Sequence, residues 1–284
     1  MNKQGPTISV VIPFHRGTFF RESIGSVLAQ TYPAFEIIVV NDGAMAPDVA
    51  ILEQFGSDVR IIHQSNHGPA AARNLGVACA SGEWIAFLDD DDLWDPKRLE
   101  VLSGFIESQP NCDALYNSYR IIGTDRISRA HNASFNDLLN IYPCPIKASS
   151  VLLRKTTLCQ AGLMNCALPL CEDFECFLRV SMLTVIYSVD IPLTGRRKHS
   201  ANISGQHRLK YRFRNRIITL YQDHYRTVSE KRLFAANMNC RFVEQCMARR
   251  DLPGVLEIIR LASRNDVSLV RLVATLLRRV FEDH

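Results

Sequence analysis

The chain has 284 residues, 47% hydrophobic and 22% charged, enough for one large core or a core with a smaller appendage. No repeat or low-complexity tract stands out, no run approaches the roughly 18 apolar residues of a membrane-spanning helix, and MNKQGPTISVVIPFH holds too short an apolar run to be expected as a secretory signal. The net charge of +4 is unevenly divided: from Arg196 onward 19 Lys and Arg face 8 Asp and Glu, whereas the first 195 residues hold 14 against 21, which points to two parts with different partners.

Residues 7–12 (TISVVI) read as a fully apolar strand ending at Pro13, and 19–30 (FFRESIGSVLAQ) as a helix with Phe20, Ile24, Val27 and Leu28 on one face. A second apolar strand at 35–40 (FEIIVV) is closed by the turn signal NDG. A helix near 46–55, a strand at 59–62, a helix at about 69–80 and a strand at 84–88 follow. Such alternation predicts an α/β fold with a mainly parallel central sheet flanked by helices. Ligands of these sheets sit outside the carboxyl ends of the strands, where Asn41-Asp42 and the run Asp89 to Asp92 fall. Strand-like pieces at 111–122 and 148–154, a helix at 172–183 and a strand at 184–189 complete the middle section. From about 206 the pattern turns helical, interrupted at Pro253-Gly254.

Four consecutive aspartates repel one another, each pair by roughly 4 kcal/mol at 4 Å and an effective dielectric near 20, before screening. They read either as a solvated loop before a helix, with Asp95-Pro96 at its start, or as an oxygen site for Mg²⁺ or Mn²⁺. In the second case one or two are direct ligands and the others meet ribose hydroxyls, water or backbone amides. The nine cysteines, without a CxxC pair, are expected to be reduced and mostly buried, as in a cytosolic protein. Cys79 and Trp84 are expected to be packing residues, and Trp94 a packing anchor in preference to a face on which a sugar stacks.

The segments ISVVIPFHRG, AQTYPAFEIIVVNDG and HGPAAARNLGVACASGEWIAFLDDDDLWDPKRLE, in that order and spacing, resemble the nucleotide-binding half of family 2 glycosyltransferases, inverting enzymes of the GT-A fold. The resemblance is dense over 7–100 and thin to about 204. It implies a GT-A domain at 1–205, with a nucleotide half (7–100) and an acceptor half (101–205), followed by a basic helical extension at 206–284. It makes Asp89-Asp90-Asp91 the family's DxD motif, with Asp91 the metal ligand and Asp89 and Asp90 on the nucleotide side. Asp42 matches the acid that reads the base, which a carboxylate does by accepting from a uracil N–H. Asn41 stands where a second aspartate is common, and His15 where an aromatic such as tyrosine is. Pro13, Phe14 and His15 would lie against the base, and Arg73 would hold the nucleotide and order the acidic loop.

CEDFECFLR (171–179) resembles the family's ED motif, which makes Asp173 the catalytic base that takes the acceptor proton and Glu172 a residue orienting the acceptor. Glu175 reads as a surface or supporting residue; helix-dipole capping is the other reading of these acids. In RRKHSANISG, His199 would complete the metal site and Arg196, Arg197 and Lys198 would meet the diphosphate. The expected partners are a nucleotide-sugar donor, uridine-based, and a glycan or lipid-linked glycan acceptor. Nucleic acid is not expected, because no recognition motif accompanies the basic residues. The apolar stripe Leu269, Leu272, Val273, Leu276, Leu277 and Val280 can pack on the domain or touch an anionic membrane, which would make the protein cytoplasmic with a peripheral membrane contact. A sugar-phosphate nucleotidyltransferase and a non-catalytic nucleotide-sugar-binding module are the rival readings. The first wants a glycine-rich loop where PFHRG stands; the second is weakened by the presence of Asp173.

Overall fold

The computed structural model describes residues 5–140, 144–199, 207–224, 242–243, 246–247 and 251–264. The described residues fall into two compact units, one within Met1–Phe135 and Cys144–His199, the other within Asn136–Pro143 and Ser200–His284.

The first unit is built on a nine-stranded sheet. In chain order its strands are β1 (Ile8–Phe14), β2 (Glu36–Asp42), β3 (Arg60–Gln64), β4 (Trp84–Phe87), β5 (Leu93–Trp94), β6 (Ala114–Ile121), β7 (Ile127–Ser128), β8 (Val151–Arg154) and β9 (Tyr187–Arg196). Their spatial order is β3-β2-β1-β4-β8-β6-β9-β5, with β7 paired to β6. The β3-β2-β1-β4 part is wholly parallel. Beyond it β8 runs antiparallel to both β4 and β6, β9 is parallel to β6, and β5 and β7 are antiparallel to their neighbours. The sheet is therefore mixed, and the expectation of a mainly parallel one holds for its first half. The helices of this unit are α1 (Phe20–Leu28), α2 (Ala46–Leu52), α3 (Pro69–Cys79), α4 (Arg98–Ser108), α6 (Lys155–Gln160) and α7 (Glu172–Leu183), while α5 (Phe135–Asn140) falls, all but its first residue, in the second unit.

The parallel strands are apolar end to end because both faces are covered. Ile8, Val10, Ile12, Val39, Trp84 and Ala86 join Phe20 and Ile24 of α1 and Leu99 and Leu102 of α4 in one core. Each large side chain fully buried there contributes about 1.5–3 kcal/mol. The chain lays β2 on one side of β1, then returns to lay β4 on the other, so the strand order reverses between β1 and β4. That reversal opens a crevice at their carboxyl ends. On α3, Gly76 permits close approach: a Cβ there would collide with the Val11 side chain of β1.

Several local expectations are corrected. Leu28 is exposed and Ser23 takes its place on the buried face of α1. The strand expected at 184–189 starts later and runs on to Arg196, because its pairing with β6 continues past two irregularities at Asn117 to Tyr119. Segment 148–154 opens as a 3₁₀ turn before β8. None of the eight described cysteines is in a disulfide, but Cys79 is only half-buried and Cys159 and Cys166 are exposed. Trp84 is fully buried, with the Arg154 guanidinium 4.8 Å from its ring.

In the second unit, α8 (His207–Leu220) and α9 (Leu252–Arg264) are described. Tyr211 meets Phe242 edge-on at 4.8 Å, and Arg212 pairs with Glu257. Pro253-Gly254 marks the first turn of α9, where Asp251 accepts from the Gly254 amide at 3.1 Å, an N-cap contact. The apolar stripe at 269–280 lies outside the described residues.

Candidate active site

Asp42 ends β2 buried, and its carboxylate is filled by local donors. Oδ1 accepts from Gln64 Nε2 and the His67 amide, both at 2.8 Å, and Oδ2 accepts from the Gly68 amide at 2.9 Å. Gly68 has φ +86, a conformation that favours glycine, and directly precedes Pro69 at the start of α3. Asp42 thereby fixes the entry of α3. Asn41 Oδ1 accepts from the Ala44 amide at 2.8 Å, and its Nδ2 lies 3.1 Å from His63 Nδ1. His15 is exposed, with Nδ1 3.0 Å from the Asp42 carbonyl oxygen, and Pro13 is half-buried. The Phe14 ring does not lie where the sequence reading put it: it is 0% exposed and packs on Phe20 at 4.7 Å, so it offers no face to a ligand.

The aspartate run follows β4 as a tight turn, closed by the Asp92 amide donating to the Asp89 carbonyl at 3.1 Å. The structure sorts the four carboxylates outward. Asp90 Oδ2 accepts from the His15 and Arg16 amides at 3.1 and 3.2 Å, across the crevice from β4 to β1. Asp89 Oδ1 lies 2.5 Å from Arg73 Nη2 and Asp91 Oδ2 lies 2.9 Å from His199 Nε2. Asp92 accepts from Ser149 Oγ at 2.6 Å and from the Arg197 amide at 2.9 Å. Ser149 Oγ also accepts from the Asp89 amide at 3.1 Å, so one hydroxyl braces both ends of the run. Beneath it Trp94 Nε1 donates to the Ser149 carbonyl at 2.8 Å, and the buried Arg98 guanidinium lies 4.1 Å over the Trp94 ring. Trp94 is the packing anchor expected.

These partners do not cancel the charge. Burial pushes Asp92 up to about 8, with the charges of Asp89 and Asp91 adding to it. Burial likewise raises Asp90 to about 6 against the pull of its two amides. Asp91 is raised by burial and by Asp89, while His199 and Arg196 draw it back. Asp89, Asp91 and Asp92 each bring one oxygen within 4.8 Å of the others. An oxygen-only set with surplus negative charge fits Mg²⁺ or Mn²⁺. Asp92 belongs to this set although the family resemblance gave it no role beyond membership of the acidic run. Its only sequence signal is membership of the run, and Ser149, one of two adjacent serines before an apolar strand, offered none.

Arg73, buried on α3, bridges the two halves of the unit. Nη2 meets Asp89, and Nη1 donates to Glu172 Oε1 at 3.0 Å. Burial works against its charge, but Asp89 and Glu172 outweigh that and hold it above its ordinary value. The next residue, Asn74, exchanges two hydrogen bonds with the backbone of Met164 at 2.8 and 2.9 Å. Burial raises Glu172 to about 7, the charge of Asp173 adding and Arg73 opposing.

Glu172, Asp173 and Glu175 fill the first turn of α7, at the positive end of its dipole. Cys171 before them has φ 65, a left-handed conformation uncommon for a non-glycine residue and concentrated at functional sites. Asp173 is half-buried and Oδ1 accepts from the Phe174 amide at 2.7 Å. Glu175 is not a surface residue: it is buried and paired with Arg179 at 2.7 Å, which donates to the Leu163 carbonyl at 2.6 Å.

Arg196 ends β9 half-buried, Lys198 is exposed, and Arg197 and His199 turn back over the acidic loop. Among the described residues no helix is long and apolar enough to cross a membrane.

Comparison with known proteins agrees with this geometry. Residues 9–163 match the family model described as glycosyl transferase family 2. An uncharacterised glycosyltransferase of Rickettsia felis is 30% identical over 215 residues, which cover 70% of this chain and 35% of the relative, so the chain spans about a third of that protein. Among solved structures, S. aureus TarS 1-349 superimposes with a TM-score of 0.59 at 16% identity, covering 92% of each chain. The mannosyltransferase PcManGT from Pyrobaculum calidifontis, in complex with GDP-Man and Mn²⁺, gives 0.62 at 13% identity, covering 99% of this chain and 89% of that one. The fold is thus GT-A, and the chain belongs to glycosyltransferase family 2.

Proposed function

We propose that this glycosyltransferase moves a sugar from a nucleoside-diphosphate donor to an acceptor hydroxyl with inversion, Asp173 acting as the base. The acceptor oxygen attacks the anomeric carbon and its proton passes to Asp173, while the bond from that carbon to the diphosphate breaks and the electron pair leaves with the nucleoside diphosphate. Asp91, with Asp89, Asp92 and His199 around it, would hold Mn²⁺ or Mg²⁺. A bound cation supplies charge stabilisation to the departing diphosphate. Asp42 and Asn41, with the exposed His15, form the nucleoside end. Arg196 and Lys198 remain candidates for the phosphates.

The single observation that carries this reading is the Arg73 bridge. One buried guanidinium joins Asp89 at the end of β4 to Glu172, the neighbour of Asp173, so the cation-holding loop and the base-bearing helix are referenced to one point. The donor class is supported by TarS, crystallised with UDP and UDP-GlcNAc, and by PcManGT with GDP-Man. A UDP-sugar is the first donor to test. As acceptor and setting we propose a glycan or lipid-linked glycan in the cytoplasm, with the basic segment 206–284 against an anionic membrane face.

Calorimetric titration of UDP, GDP and dTDP, each with and without Mn²⁺, tests the donor site on wild type and Asp91→Ala. Metal-dependent binding of one nucleotide, lost in the variant, is expected and names the base. Asp173→Asn should keep that binding and lose turnover by about 10²–10⁴-fold. Absence of nucleotide binding in the presence of Mn²⁺ would overturn the reading.

A further inference from the structure

Arg197 was expected on the diphosphate, yet its side chain is engaged elsewhere. Its guanidinium lies 4.2 Å over the ring of Phe19. Nη2 donates to Glu22 Oε2 at 2.7 Å and Nε donates to the Asp91 carbonyl at 3.1 Å. Its own amide donates to Asp92 Oδ1 at 2.9 Å. Two residues on, His199 Nε2 lies 2.9 Å from Asp91 Oδ2, and its ring lies 5.2 Å from that same Phe19 ring. A single aromatic side chain, just before α1, thus supports both a guanidinium and an imidazole.

We propose that Phe19, Glu22 and Arg197 form a clasp that fixes segment 197–199 across the acidic loop and so holds the His199 imidazole against Asp91. They are positioning residues for the oxygen and nitrogen set read above as the cation site, and their role there rests on that reading. The segment needs such a device, because it leaves the sheet at Arg196 and residues 197–199 pair with no strand. A lone ion pair to Glu22, whose side chain is 56% exposed, would hold it weakly. The clasp adds stacking, a bond to a carbonyl and a backbone anchor on Asp92, all converging on one residue. The chemistry demands arginine: a planar fork stacks on an aromatic ring while donating from Nε and Nη2 at once, and a lysine ammonium does not.

The test reads the histidine first and the metal second. The side-chain imidazole resonance of His199, identified by its loss in His199→Gln, is recorded in metal-free protein at one pH. Arg197→Met and Arg197→Lys should both move it toward its position in Asp91→Asn, and Phe19→Leu should move it less far in the same direction. Glu22→Gln should shift it in the wild-type background and add nothing to Arg197→Met. Mn²⁺ titration should then show affinity falling about tenfold in the Arg197 variants, the scale on which residues behind metal ligands act. Glu22 is a surface residue, so its variant keeps the test readable should an Arg197 variant fail to fold. A His199 resonance unchanged in Arg197→Met, or in Glu22→Gln alone, would overturn the clasp; a lysine variant matching wild type would overturn the role given to the stacked fork. A His199 that moves in a wild-type background that binds no Mn²⁺ would support the clasp and sink the cation reading instead.

Discussion

The two ends of the crevice neutralise carboxylates in opposite ways. At the β2 end, Asp42 is satisfied by Gln64 and the amides of His67 and Gly68, a single short segment whose backbone donors cannot rotate away. At the β4 end, the four aspartates draw on Arg73, Ser149, the segment carrying the Arg197 amide and His199, and the amides beyond β1, four separate stretches of chain. The first arrangement is complete without a ligand. The second holds only while distant parts of the fold stay in place, and burial first, with neighbouring aspartates adding to it, raises Asp90, Asp91 and Asp92. Under the function proposed above, the rigid end would meet the nucleoside and the charged end would take a cation that offsets the departing diphosphate.

The sharpest way to break this comparison is at Arg73, which ties the charged end to α7. Arg73→Met leaves Asp89 and Glu172 without their shared cation, and removing one partner of such a buried pair costs about 3–5 kcal/mol. The fall should appear as a lower urea midpoint with an unchanged slope. No comparable substitution exists at the β2 end, where no side-chain cation is involved.

A second effect follows from Glu172, held at about 7 against an ordinary glutamate value near 4.3. Because its pKa is raised in the folded state, the folded protein binds the extra proton between those two values. Its contribution is therefore fully present below about pH 4 and is lost as pH rises through 7. The groups facing it are Asp173 on its own helix and Arg73, with Asp89 beyond, on the elements packed against it. Thermal midpoints of the metal-free protein should fall between pH 5 and 7.5, and Glu172→Gln should flatten that slope. Each kcal/mol corresponds to about 2–4 °C at this chain length.

The same contrast explains what the sequence made legible. Contacts close along the chain were read well: the apolar runs of β1, β2 and β4, the bounds of α7 at Glu172 and Leu183, and the turn after Asp42. The parallel strands are buried on both faces and so announce themselves as unbroken apolar stretches. The mixed half is less direct, because β6 and β9 bury Asn117, Ser118 and Thr194, polar residues that only make sense once bonded to each other, to Asp190 and to Ser149. Helical spacing put Leu28 on the wrong side by one position. At the site, residue type exposed the acidic run, whereas Arg73 and His199 were singled out only by the family resemblance. Phe19, Glu22 and Ser149 were invisible, since each acquires its role from a residue 50 to 180 positions away, on the order that packing and not periodicity sets.

The smallest effects sharpen the comparison by removing one neutral donor from each end. Ser149→Ala deletes the hydroxyl that donates to Asp92 and accepts from the Asp89 amide, leaving a buried carboxyl and a half-buried amide short of a partner. It should cost about 1–3 kcal/mol and, because Asp92 belongs to the oxygen set, weaken Mn²⁺ about tenfold. Gln64→Ala deletes one of the three donors to Asp42, where the His67 and Gly68 amides remain. The half-buried position lets water replace the lost amide, so about 0.5–1.5 kcal/mol is expected, with Mn²⁺ affinity unchanged. Urea unfolding and Mn²⁺ titration of the two variants side by side read both quantities. If Gln64→Ala weakened the metal as much as Ser149→Ala does, the two ends would be one coupled system. Asp42 would then act on the acidic loop through α3 and Arg73, and the division between a rigid end and a charged end would have to be abandoned.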